Sequence, residues 1–185
     1  MKKISLLLAV SGMAMLSACA PLKLDQLPPR TPTDFLLDIK AVADENDFIN
    51  LDVVGKRLRI DLVSGPEESV YASDGTTLLG YGIDVEQKGM ASEYTSADFH
   101  YRIFRPKDRS FDRALVSLSV NTDVVCMTEG DLRDVFKKLN KNISPHVLLP
   151  SYSYDGQGKS DWTYFKFDSN GCLSRLGFFK NNGRK

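Results

Sequence analysis

The segment DLRDVFKKLN (residues 131–140) sets Leu132, Val135, Phe136 and Leu139 at i, i+3, i+4, i+7. That spacing gathers four apolar side chains on one helical face. Thr128 can cap the helix, with Asp131 three residues on as a weaker form of the capping box. An earlier segment, NLDVVGKRLR (50–59), repeats the order of residue types. Leu51 answers Leu132, Val54 answers Val135, Lys56 answers Lys137, Arg57 answers Lys138 and Leu58 answers Leu139. Gly55 stands where the later copy has Phe136, which weakens both helix and packing.

The likeness continues downstream of each helix. FHYRIF (99–104) resembles WTYFKF (162–167), and RALVSLSV (113–120) resembles GCLSRLGF (171–178). Rich in aromatic and β-branched residues, these runs read as strands. The turn between the later pair contains Asn170-Gly171, a short-turn signal. A further strand candidate precedes each pair, Leu79 to Gln87 and Val147 to Tyr154. The order is helix, strand, strand, strand, written twice. The first copy adds a helix that begins at Pro32, with Thr31 as cap and Phe35, Ile39 and Val42 as its stripe. One helix cannot bury its apolar face alone, but it can across a three-stranded antiparallel sheet. The expected fold is α+β, built of tandem helix–three-stranded antiparallel sheet units over residues 33–121 and 122–180. One conflict stands in the middle strands. Copy one buries Phe99, Tyr101 and Ile103 most naturally. The aligned residues of copy two are Trp162, Tyr164 and Lys166, yet Phe165 and Phe167 look more core-like. A one-residue slip exchanges the faces.

The chain opens MKKISLLLAVSGMAMLSACAP. Lys2 and Lys3 precede an apolar run from Ile4 to Leu16, too short for an ordinary membrane span and suited to a signal peptide. Leu16-Ser17-Ala18-Cys19 resembles the lipobox of bacterial lipoproteins. The resemblance implies a signal peptide over 1–18, cleavage before Cys19 and acylation of that cysteine, which holds a chain stably at a bilayer. Ala20, rather than Asp, at the next position implies the periplasmic face of the outer membrane in a two-membrane bacterium. Residues 19–32, with Pro21, Pro28, Pro29 and Pro32, read as a stiff lipidated tether.

Removing 18 of 185 residues leaves 167, enough for one domain or two small ones. With Lys2 and Lys3 gone, 22 basic residues face 24 acidic ones, a balance of −2. No basic stripe interleaved with aromatics points to nucleic acid. The cluster Arg102, Arg105, Lys107, Arg109 and Arg113 is broken by Asp108 and Asp112, and reads as a solvated hairpin. Cys126 and Cys172 form an even pair in an exported chain, which favours a disulfide over two buried thiols.

Catalytic and metal-binding signatures do not emerge. The histidines, His100 and His146, lie in no HExxH pattern and no His/Cys cluster. No GxSxG surrounds a serine, and no glycine-rich phosphate loop is present. Neither a cofactor nor a metal is expected. The partner-binding candidates are polar aromatics of the second copy: Tyr152, Tyr154, Trp162 and Tyr164, with Arg175 on the neighbouring strand. In the aligned register the four rings share the face away from the helix, beside the polar loop Asp155 to Asp161. Exposed ring clusters bury much area at little entropic cost. The competing reading puts these rings in the core.

Thr128 to Leu139 and Trp162-Thr163-Tyr164 resemble the helix-plus-sheet unit of the beta-lactamase inhibitor protein fold. More weakly, they resemble the small lipoprotein of the beta-barrel assembly machine. The first resemblance implies a tandem, disulfide-stapled module whose aromatic-rich sheet face blocks an enzyme. With the lipobox, it implies an anchored inhibitor or immunity lipoprotein facing a periplasm-acting toxin or other enzyme. The second implies a structural accessory of envelope assembly. A periplasmic enzyme is the third class, since two carboxylates need no linear motif.

Overall fold

The computed structural model describes residues 22–108, 110–142, 151–155 and 161–181. Cys19, the expected signal peptide over 1–18, His146 and residues 156–160 lie outside the described residues.

Both threonine caps form. The Thr31 side chain accepts from the Asp34 amide and starts α1, Pro32–Glu45, with Pro32 at its first turn. Thr128 and Asp131 make a reciprocal capping box at the start of α3, Glu129–Val135. Between them, Asn50 caps α2, Leu51–Leu58. Gly55 has a specific place in α2. A Cβ there would lie 2.6 Å from the Ile60 carbonyl oxygen, so a glycine lets the helix end close against the strand that follows it. The third helix is shorter than its stripe suggests. It ends at Val135, and Phe136 is extended at φ −101°, ψ 93°. Leu139 therefore lies beyond the helix, where the chain turns toward a strand.

Eight antiparallel strands form one sheet among the described residues. They are β1 Ile60–Tyr71, β2 Leu78–Met90, β3 Tyr94–Pro106, β4 Arg113–Val120, β5 Asn140–Asn142, β6 Ser151–Asp155, β7 Trp162–Phe167 and β8 Leu173–Asn181. Their spatial order is β1-β2-β3-β4-β8-β7-β6-β5. The fold is thus α+β, with a multi-stranded antiparallel sheet and a few helices. Each half contributes four strands where three were expected, and the halves join edge to edge through β4 and β8. Val116 lies opposite Phe178 and Leu118 opposite Leu176 in that junction.

The helices cover one face of the sheet. Phe35, Leu36, Ile39 and Leu58 meet Tyr101, Ile103, Val116, Leu118, Phe165 and Phe178 in one continuous core. Polar ties cross from α1 to the later strands. The Tyr154 hydroxyl donates to Asp44 at 2.6 Å, and Asn46 donates its side-chain amide to Asp161 at 2.6 Å. Lys180 donates to the Asn46 carbonyl at 2.8 Å. Cys126, just before α3, is bonded to Cys172, just before β8, with Cα atoms 5.0 Å apart.

The segment before α1 differs from a free tether. Leu24–Gln26 form a 3₁₀ turn, and Arg30 is buried. Its Nε and Nη2 each donate to one Glu93 carboxylate oxygen at 3.0 Å, while Nη1 donates to Asp38 at 2.9 Å. Its guanidinium also lies 4.6 Å from the Phe35 ring centre. Burial alone would lower the Arg30 pKa, but Tyr94, Glu93 and Asp38 outweigh it and hold the cation above its ordinary range. Burial also pushes the Tyr94 hydroxyl well above its usual value.

Candidate functional site

Strand register decides which aromatics can meet a partner. Tyr152 pairs with Phe165 and Tyr154 with Thr163, whereas Ser153 pairs with Tyr164 and Asp155 with Trp162. The four candidate rings therefore do not share a face. Tyr152 is fully buried and meets Phe167 edge-on at 5.7 Å. Tyr154 is half-buried, edge-on to Phe136 at 5.0 Å. Both belong to the helix-covered side, so Tyr152 and Tyr154 are corrected from partner-binding candidates to core and inter-element residues. The middle-strand conflict resolves the same way. Phe165 and Phe167 are buried and Trp162 is exposed, so the aligned register was off by an odd number of residues. β3 pairs with β4 without interruption from His100 to Phe104, so the slip lies in the alignment of the two runs; the irregularity between Thr95 and His100, with Asp98 at φ 57°, falls before that stretch.

Trp162, Tyr164 and Arg175 remain together on the helix-free face. Cross-strand pairs trace its rows. One runs Asp84, Arg102, Leu115, Phe179, Trp162, Asp155. The next runs His100, Ser117, Gly177, Tyr164, Ser153. A third places Ser119, Arg175, Lys166 and Ser151 side by side. The Trp162 ring lies 5.7 Å from Tyr164 and 5.5 Å from Phe179, and is 40% exposed. Leu115, in the same row and two strands away, is 37% exposed. The result is an apolar centre across β4, β8 and β7.

Glycines let long side chains lie flat on this face. A Cβ at Gly177 would meet the Tyr164 ring at 2.4 Å, and the Tyr164 hydroxyl donates to Ser117 at 2.8 Å. A Cβ at Gly82 would meet Arg102 at 2.7 Å, and one at Gly80 would meet Phe104 at 2.8 Å. Side chains pinned in this way lose little rotamer freedom on binding.

Charge rings the apolar centre. Arg175 is ion-paired to Asp98, and Arg102 stands 3.6 Å from Asp84. Arg113 donates to the neutral Asn181 side chain at 2.8 Å, and its guanidinium lies 5.0 Å from the Phe111 ring centre. The Lys166 ammonium lies 5.9 Å from the Tyr164 ring centre. His100 is exposed in the same surface. Sequence reasoning missed Phe179, Leu115 and Arg113. Phe179 lies one residue past the matched run, and nothing local reports the β4–β8 and β7–β8 pairings that bring the three to Trp162.

Among the described residues, no group of three His, Cys, Asp or Glu side chains could hold a metal ion. No described helix is long and apolar enough to cross a membrane. Comparison with protein-family models, curated proteins and solved structures found no match.

Proposed function

We propose that the chain is a lipoprotein anchored through Cys19 at the periplasmic face of the outer membrane, where it binds and blocks an enzyme. The partner class is a toxin acting in the periplasm or another envelope enzyme. The observation that carries the reading is the helix-free face, with Trp162 packed at a tilt against Tyr164 and Phe179 over a glycine-floored sheet. Large, pinned aromatic side chains with a charged rim fit the anatomy of a protein-binding surface. The strand order also supports a tandem reading. Each half runs helix then four strands, and the halves meet at their last strands.

The test is capture of candidate enzymes on the purified protein. One stoichiometric partner should appear, and its activity should fall on binding. Trp162→Ala and Tyr164→Ala should each weaken that binding by tens of fold, the cost of about 2 kcal/mol at a hot spot. Their melting temperatures should stay near that of the parent. Capture of assembly-machine components alone, with no enzyme inhibited, would refute the inhibitory reading and support the accessory one.

A further inference from the structure

A second surface lies at the opposite end of the molecule's long hairpin from its tip. Leu22, Leu24, Leu27, Ile60 and Met90 line a cleft of about 860 Å³ between the segment before α1 and the start of β1. Its rim carries Lys23, Lys56, Arg59 and Lys88, with Asp25 and Asp61. Lys23 and Lys56 are exposed and have no salt bridge to another described residue; Lys88 forms an exposed pair with Glu86, and Arg59 lies 3.7 Å from Glu93 and donates to the Pro28 carbonyl at 2.9 Å. Leu22 is 66% exposed.

The anchor is close to this cleft. Two residues separate Cys19 from Leu22, a reach of at most about 11 Å over three Cα steps. Leu24–Gln26 already form a 3₁₀ turn, and Arg30 is fixed to Glu93. A lipid on Cys19 therefore leaves the body no long leash.

We propose that this cleft end docks on the anionic phospholipid headgroups of the bilayer that holds the anchor. The inference rests on the lipoprotein reading above. Lys23, Lys56 and Lys88 meet headgroup phosphates, and Leu22 enters the headgroup–acyl boundary. Cations at an anionic surface are held electrostatically, and an exposed leucine adds apolar burial. Docking this way stands the β1–β2 hairpin away from the membrane. Lys107, whose amide donates to the Leu79 carbonyl, then lies about 36 Å along β2 from Met90.

The experiment uses the mature, lipidated protein in phosphatidylcholine vesicles and in vesicles containing phosphatidylglycerol. Lysine acylation is read residue by residue by mass spectrometry. Lys23, Lys56 and Lys88 should label about fivefold more slowly on the anionic vesicles. Lys107, at the far end of the hairpin, should label equally on both. High salt, or the surface change Lys56→Glu, should restore fast labelling at Lys23 and Lys88. Equal labelling on both vesicles, with the protein still attached, overturns the docking alone. A chain that fails to attach to phosphatidylcholine vesicles overturns the lipid anchor, and the docking with it.

Discussion

Arg30 shows how much a single buried cation can organise. Its carboxylate partner Glu93 is completely buried and 63 residues away. Removing the guanidinium leaves that charge with Arg59, 3.7 Å away, as its ionic partner among the described residues, and breaking a buried pair typically costs about 3–5 kcal/mol. Arg30→Ala should therefore lower the unfolding free energy measured in urea by up to about that amount, and a value within about 1 kcal/mol of the parent would show that Arg59 suffices to hold Glu93. Asp74 is a smaller case at the hairpin tip. It accepts from the Thr77 hydroxyl and from the Thr77 and Thr76 amides, which hold its carboxyl down at about 2. Because the folded value lies below the ordinary 3.8, the stabilisation is present above that value. It is lost as pH falls through about 2. Carbon-13 NMR titration of the Asp74 carboxyl should give a midpoint near 2 in the folded protein, against an ordinary value if the turn does not form. Local signals of this scale were legible: Thr31, Pro32 and Thr128 announce their helices by type and spacing alone. Arg30 was not, because a basic residue in a proline-rich stretch carries no mark of a carboxylate so distant in sequence.

At the scale of elements, strands with regular alternation were readable and irregular ones were not. β4 and β7 follow the expected runs at 113–120 and 162–167. β1 escaped, since it is a polar edge strand with register shifts at Asp61/Leu62 and Ser64/Glu67, and Pro66 within it. Such bulges and charges protect an edge from pairing with another chain, and they also erase the two-residue period. The expected third helix is cut short for a different reason: it stops at Val135, Phe136 is extended and buried, and β5 begins at Asn140, where Lys141 pairs with Tyr152. Two predictions belong here. The Cys126–Cys172 bond closes a separation of 46 residues, for which the chain-entropy estimate is about 4 kcal/mol. Replacing both cysteines with serine should cost 2–4 kcal/mol of that in denaturant melts, and an unchanged midpoint would mean the unfolded chain is already constrained. Gly177→Ala should cost about 1–3 kcal/mol by overpacking. It should also displace the Tyr164 ring, read as loss of its hydrogen bond to Ser117. Combining it with Tyr164→Ala should recover part of that cost; simple additivity would show that the two sites do not touch.

The whole molecule is where sequence reading lost most. Duplicated helices and strands suggested two units, but the edge-to-edge joining of β4 to β8 is a long-range pairing that no turn or spacing announces. That junction creates the surface proposed to bind. It brings Leu115 of the first half beside Phe179 of the second, and so beside Trp162. Trp162 is the chain's only tryptophan, which makes its fluorescence a site-specific reporter of the helix-free face. The most direct measurement is acrylamide quenching of Trp162 in the free protein and in its purified complex with the captured enzyme, excited so that any partner tryptophan is replaced or subtracted. The account predicts ready quenching when free and several-fold protection in the complex. A stoichiometric, inhibited complex in which Trp162 remains as quenchable as in the free protein would contradict it.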